Sequence, residues 1–221
     1  YYTGEEYALM AIEVRVDEND WRRLEHTLKY LGEDADKGLA KVVNKTAKEA
    51  KKLLAKQSNS EYATTDLGLR GFNNSMKVIS ATGKNPVAEI ISKDGSRELY
   101  KFKVSPKTAT RKNGRRPRTF KAKVLKASSF KKMQTADIKA FVTTFKSGHT
   151  TLVERTPGKR MRNRRGKGIT KHNMALKALY AVPVPNMLAG EHGYLKASSM
   201  IDDVLQRNID MEIEKLLGSE R

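Results

Sequence analysis

The stretch AIEVRVDENDWRRLEHTLKYLGEDADKGLAKVVNKTAKEAKKLL, residues 11–54, changes its hydrophobic period partway along, and that change decides the fold class. Ile12, Val14 and Val16 alternate with polar residues, which puts them on one face of a β-strand. Asp17 then offers a helix cap. Glu18 and Asp20 suit a first helical turn, where unpaired amides favour negative charge. Beyond them Trp21, Leu24, Leu28 and Leu31 recur at intervals of three and four. Gly32 interrupts the pattern. It resumes through Ala35, Leu39, Val42, Val43, Ala47, Ala50, Leu53 and Leu54. The stretch is one long helix with a weak point at Gly32, or two helices in series. Its apolar stripe reads as core rather than as a ligand site. The polar run Ser58 to Thr65 is expected to end it.

Outward from this stretch, strand signals dominate the middle of the chain. Leu67 to Phe72 is a short apolar cluster. Met76 to Ala81 and Val87 to Ser92 read as paired strands around Thr82-Gly83-Lys84-Asn85-Pro86, and Leu99 to Val104 alternates as a further strand. Phe141 to Phe145 and Thr150 to Arg155 flank Lys146-Ser147-Gly148-His149, which predicts a β-hairpin. Leu179 to Val184 is a short apolar run, and Pro183 and Pro185 are expected to end regular structure there. Ile201, Val204, Leu205, Ile209, Ile213, Leu216 and Leu217 then form a helical stripe stopped by Gly218. The expected architecture is α+β: long N-terminal and C-terminal helices packed on an antiparallel or mixed β-sheet. It is expected as a single domain over residues 1–221, with a basic excursion at about 104–131 and a basic loop at about 157–173.

Composition narrows the function classes. The chain has 221 residues, 38% of them hydrophobic, with 44 Lys and Arg against 25 Asp and Glu, a net charge of +19. The mean hydropathy of -0.65 implies a modest core. No run approaches the roughly 18 apolar residues of a membrane span. Glu5, Glu6 and Glu13 break up the region where a signal peptide would carry its apolar segment. Residue 1 is Tyr, and Met10 would be a natural start for the strand segment. The absence of cysteine removes disulfides, thiolate metal sites and a cysteine nucleophile.

The positive charge is concentrated. Residues 101–132 hold 13 Lys and Arg, residues 155–177 hold nine, and neither block contains an acid. The remainder carries 22 basic and 25 acidic residues, so a near-neutral body bears two acid-free segments. That distribution calls for a localised electrostatic partner. In the first block the candidate contacts are Lys107, Arg111, Lys112, Arg115, Arg116, Arg118, Lys121 and Lys123. In the second they are Lys159, Arg160, Arg162, Arg164, Arg165 and Lys167. The first block is expected to be mobile alone, because like charges repel and little apolar surface can be buried. It is either a solvated surface excursion or an arm that lies on neighbouring subunits or nucleic acid.

Catalytic constellations do not stand out. His26, His149, His172 and His192 are scattered and lack metal-ligand spacing, so no metal site and no cofactor is expected. Asp94 and Asp137 have no acidic partner at a useful spacing. Gly158-Lys159 and Gly166-Lys167 lack the following Ser or Thr, and the upstream Gly, of a phosphate loop. The chain is not expected to be an enzyme.

One family is suggested by the C-terminal third. Ala140-Phe-Val-Thr-Thr-Phe-Lys-Ser-Gly-His149 leads into Thr150-Thr-Leu-Val-Glu-Arg-Thr-Pro-Gly-Lys159. Leu176-Lys-Ala-Leu-Tyr180 and Val182-Pro-Val-Pro-Asn-Met-Leu188 follow, before a terminal helix. This resembles the minor tail protein Z and tail-completion proteins of long-tailed phages. The N-terminal half matches more loosely, through Ala47, Lys51 and Leu67-x-Leu-Arg70. The family tends to have Gly where this chain has Ala181. The resemblance implies a structural virion protein at the head-proximal end of the tail, made in the host cytoplasm, that takes part in tail completion and head–tail joining. It implies a homo-oligomeric ring, with a hexamer favoured. Its neighbours would be tail tube, tail terminator, neck or connector and tape-measure proteins. The basic segments would contact these proteins or the phage DNA end, and no membrane. The alternative is a basic nucleic-acid-binding protein, ribosome-associated or DNA-binding. Against it, the basic blocks contain only Phe102, Phe120 and Phe130 as aromatics, and no known nucleic-acid motif.

Overall fold

The computed structural model describes residues 7–30, 35–109, 114, 116–135, 138–161, 168–170 and 173–218. The N-terminal elements are β1 (Tyr7–Val14), α1 (Glu18–Tyr30), α2 (Ala35–Glu61), α3 (Gly68–Asn74), β2 (Met76–Ile79) and β3 (Ala88–Gly95). The middle of the chain gives β4 (Arg97–Glu98), a 3-10 turn (Leu99–Lys101), β5 (Lys103–Ser105), β6 (Lys121–Lys123), β7 (Lys131–Lys132), β8 (Gln134–Thr135) and β9 (Ile138–Lys139). Then come β10 (Phe141–Thr144), β11 (Thr150–Arg160), β12 (Met174–Ala178), β13 (Tyr180–Ala181), α4 (Val184–Ala189) and α5 (Tyr194–Gly218). The fold is α+β, and the strand pairs β2/β3, β5/β6, β6/β7, β10/β11 and β11/β12 are all antiparallel.

The described chain forms two compact units. Unit 1 contains Tyr62–Asp66 and Gly95–Val182, and unit 2 contains Tyr7–Glu61, Leu67–Asp94 and Pro183–Arg221. Unit 2 is built on α2. Leu39, Val42, Val43, Ala47, Ala50 and Leu54 recur at helical spacing, and all are buried. Against them α5 brings Ala197, Ile201, Val204 and Ile209, also buried. Between the two helices the buried Asn208 amide donates to Thr46 Oγ1 at 3.0 Å, while its Oδ1 has no hydrogen-bond partner among the described residues. Two helices flank residues 31–34, in agreement with the interruption at Gly32. At the start of α1 the Asp17 carboxylate accepts from the amides of Asn19 and Asp20, both at 2.9 Å. A three-stranded sheet of order β1-β3-β2 completes the unit. Asn44 on α2 holds the end of its β2 segment, donating to the Ala81 carbonyl and accepting from the Ala81 amide at 2.9 and 2.7 Å.

Two expectations change here. Pro183 and Pro185 start a helix instead of ending structure. Pro183 is the N-cap residue of α4, with φ -70° and ψ 158°, and Pro185 lies in its first turn, where the missing N–H would be unpaired in any case. Val184, Pro185, Met187 and Leu188 are buried. Leu99 to Val104 is not one strand. The Phe102 amide bonds back to the Leu99 carbonyl at 3.1 Å, closing a 3-10 turn before β5 begins at Lys103.

Unit 1 is the strand-rich part. The expected hairpin is present: Phe141 faces Val153, and Thr144 faces Thr150. Gly148 takes φ 83° in its turn, a left-handed conformation that a side chain would disfavour. β12 adds to the other edge of β11. A second sheet, β5-β6-β7, is drawn from the basic block itself. Val104, Phe120 and Ala122 are buried within residues 104–131, and the Ala63 amide donates to the Val124 carbonyl at 2.7 Å. The basic excursion is therefore anchored by its own unit in its described part. Three well-spaced apolar residues and a ladder of backbone bonds suffice, because a strand buries only every second side chain.

Candidate functional site

The charge sorts by unit. Residues 62–66 and 95–182 of unit 1 hold 25 Lys and Arg against four Asp and Glu, residues 1–6 add two Glu, and the segments of unit 2 hold 19 of each. A site for an anionic partner therefore belongs to unit 1.

The register of β5-β6-β7 produces a cation cluster among the described residues of this unit. Lys121 and Lys123 flank Ala122 on β6, so both lie on the face opposite the buried Ala122 side chain. Lys103 on β5 stands opposite Lys123, and Lys132 on β7 stands opposite Lys121. One face of a three-stranded sheet thus carries Lys103, Lys121, Lys123 and Lys132. Like charges directly opposite across strands destabilise a sheet. Among the described residues, Lys103, Lys121 and Lys132 make no side-chain ion pair. Lys123 donates to the Lys126 carbonyl at 2.7 Å, and its Nζ lies 5.5 Å from the ring centroid of Phe130. That ring is 40% exposed, enough to leave area free for a planar partner.

A second feature is an open cleft of about 950 Å3, lined in part by Arg116, Phe120, Lys139, Phe141, Arg155 and Met174. Arg155 follows Val153 by two residues, and Val153 faces Phe141, so Arg155 is a diagonal neighbour of that ring. Its guanidinium lies 5.1 Å from the ring centroid. Its Nη1 is buried and makes no hydrogen bond among the described residues.

The remaining candidates divide as follows. Lys107 is exposed, and its carbonyl accepts from the Tyr100 hydroxyl at 3.1 Å. Arg118 and Lys159 are exposed, and Arg160 donates to the Gly168 carbonyl at 2.7 Å. Arg111, Lys112, Arg115, Arg162, Arg164, Arg165 and Lys167 lie outside the described residues. The fold thus brings Lys121 and Lys123 into one cluster and puts Arg116 on the cleft. Lys103, Lys132 and Arg155 belong to these features without being among the sequence candidates. Alternation of Lys101 and Lys103 with Phe102 and Val104 was the signal for Lys103: it marks a strand-like stretch with a charged outer face, whereas Lys132 needed the β6/β7 register. Arg155 needed the register, which only strand pairing supplies.

Two of the histidines make local contacts. His149 Nε2 lies 2.9 Å from Glu98 Oε1, and its ring is nearly parallel to Phe145, with centroids 6.3 Å apart. His192 Nδ1 lies 3.5 Å from Glu61 Oε2. His26 is exposed on α1, and His172 lies outside the described residues. Gly158-Lys159 falls within β11, not at a helix start. Among the described residues no three His, Asp or Glu side chains gather to hold a metal ion, and no helix is long and apolar enough to cross a membrane. Compared with protein-family models, curated proteins and solved structures, the chain finds no match.

Proposed function

We propose that this protein is a structural component of a tailed-phage virion, acting at the head-proximal end of the tail in tail completion and head–tail joining. The observation that supports this reading is the disposition of the C-terminal motif. Val182-Pro-Val-Pro-Asn-Met-Leu188, the segment most like tail-completion proteins, builds α4 and leads into the long α5. Met187 and Leu188 are wholly buried in unit 2. The motif is a packing device, as expected of a subunit whose work is assembly. A near-neutral helical unit and a strongly cationic strand-rich unit also suit a protein that joins a ring of its own kind to an anionic neighbour. In this reading the subunits form a ring, hexameric by preference, beside tail tube, terminator, connector or tape-measure proteins.

Quantitative mass spectrometry of purified phage or tail-like particles tests the proposal. A small fixed copy number per particle, a multiple of three or six, is the expected result. Absence from particles overturns it. The second reading, a nucleic-acid-binding protein outside a virion, is favoured by one observation: 25 basic residues against four acidic ones over residues 62–66 and 95–182 of unit 1.

A further inference from the structure

We propose that the lysine face of β5-β6-β7, with the Phe130 ring at its margin, binds single-stranded nucleic acid. The inference stands apart from the tail reading, since it rests on the sheet alone.

The argument begins with the cost of the cluster. A protein gains nothing in stability from setting Lys103 against Lys123 and Lys121 against Lys132 across neighbouring strands. The strands are short, and their inner face needs only Val104 and Ala122 to hold them. Polar uncharged residues would serve the outer face better. No carboxylate among the described residues pairs with Lys103, Lys121 or Lys132, so the repulsion has no internal relief. A bound polyanion supplies that relief. The backbone positions that carry these lysines lie about 4.8 Å apart across neighbouring strands and about 6.6 Å apart at every second residue along one strand. Such a lattice follows a flexible phosphodiester chain without requiring a fixed helix.

The aromatic ring decides between kinds of polyanion. Phe130 is 40% exposed and lies beside Lys123. An exposed ring next to a cation row offers a surface on which an unpaired base stacks while its phosphate meets the lysines. A duplex hides its base faces, and an acidic peptide has no base to stack. The shared chemistry is a phosphodiester with free bases, which DNA and RNA both provide.

The test uses the full chain and fluorescently labelled oligodeoxythymidylate and oligouridylate, read by anisotropy at several salt concentrations. Binding of one or both is expected, and the comparison identifies the source. Lys121→Gln with Lys132→Gln should weaken binding roughly tenfold or more and make the log–log salt slope shallower by about 1.4, as loss of two phosphate contacts on a single strand requires. Phe130→Ala should weaken it roughly fivefold or more without changing the salt slope. The melting temperature of the lysine double variant should stay level or rise, because it removes one cross-strand repulsion. A merely structural role would lower it. Arg116→Gln with Lys139→Gln, on the cleft, should lose less affinity than the sheet pair. The proposal is overturned if neither oligonucleotide binds, if the cleft pair loses as much or more, or if polyglutamate of equal charge competes as well as the oligonucleotide.

Discussion

Gly193 is held by contact rather than by conformation. A Cβ placed on it would lie 2.2 Å from the Leu188 carbonyl oxygen and 2.3 Å from that of Met187. Both belong to α4, whose neighbouring side chains are buried, so neither carbonyl can retreat cheaply. Gly193→Ala should destabilise unit 2 by about 3 kcal/mol, seen as a lower urea midpoint. Glu61 shows a different dependence. Lys196 Nζ donates to its Oε1 at 2.8 Å, and this bond, with His192 and Gln57 beside it, holds the carboxyl below its ordinary range. A carboxylate whose folded pKa is depressed contributes stability above its unfolded pKa of about 4.3 and loses it as pH falls through the folded value. Glu61→Gln should therefore be less stable than the parent at pH 7, and the difference should close as the pH falls below about 4. Melting temperatures measured from pH 3 to pH 7 check this. A constant difference across the range would assign the loss to packing instead.

At the scale of elements, the basic segment 104–131 behaves as two kinds of chain at once. Its outer side chains are cations, yet it supplies β6 and the buried Phe120 and Ala122. Deleting residues 104–131 should unfold unit 1, because it removes most of β5 and all of β6, and Ala63 loses its bond to Val124. Phe120→Ala alone should cost about 3 kcal/mol. Circular dichroism of the deletion should show lost strand signal with the helical signal of unit 2 retained. A deletion variant with an intact strand spectrum would return the segment to the status of a free arm. The same alternation explains why a composition argument expects mobility here. Counting charges over 32 residues hides the few apolar positions that matter, since one buried ring at the right register outweighs several solvated lysines.

At the scale of the whole molecule, the net charge of +19 is not spread evenly: unit 2 is balanced and unit 1 carries the excess. Salt should act on the two units differently. Screening relieves repulsion within the sheet of lysines and weakens its hold on any anion, while unit 2, built on the α2 and α5 apolar stripes, is largely indifferent. Read from the chain alone, the α+β class, the Asp17 cap, the helical stripes and the hairpin around Gly148 were all legible. Each depends on residues close together in sequence, where a period of two or of 3.6 records which side is buried. The turn at Leu99–Lys101 was misread because an apolar alternation of a few residues fits a strand and a 3-10 turn equally well. The role of Pro185 was misread because proline both ends and begins helices, and only the following burial tells which. What needed the tertiary structure was the juxtaposition of Lys103 with Lys123, of Lys121 with Lys132, and of Arg155 with Phe141. These pairs lie up to 20 residues apart, and strand register is set by long-range packing that no local pattern encodes.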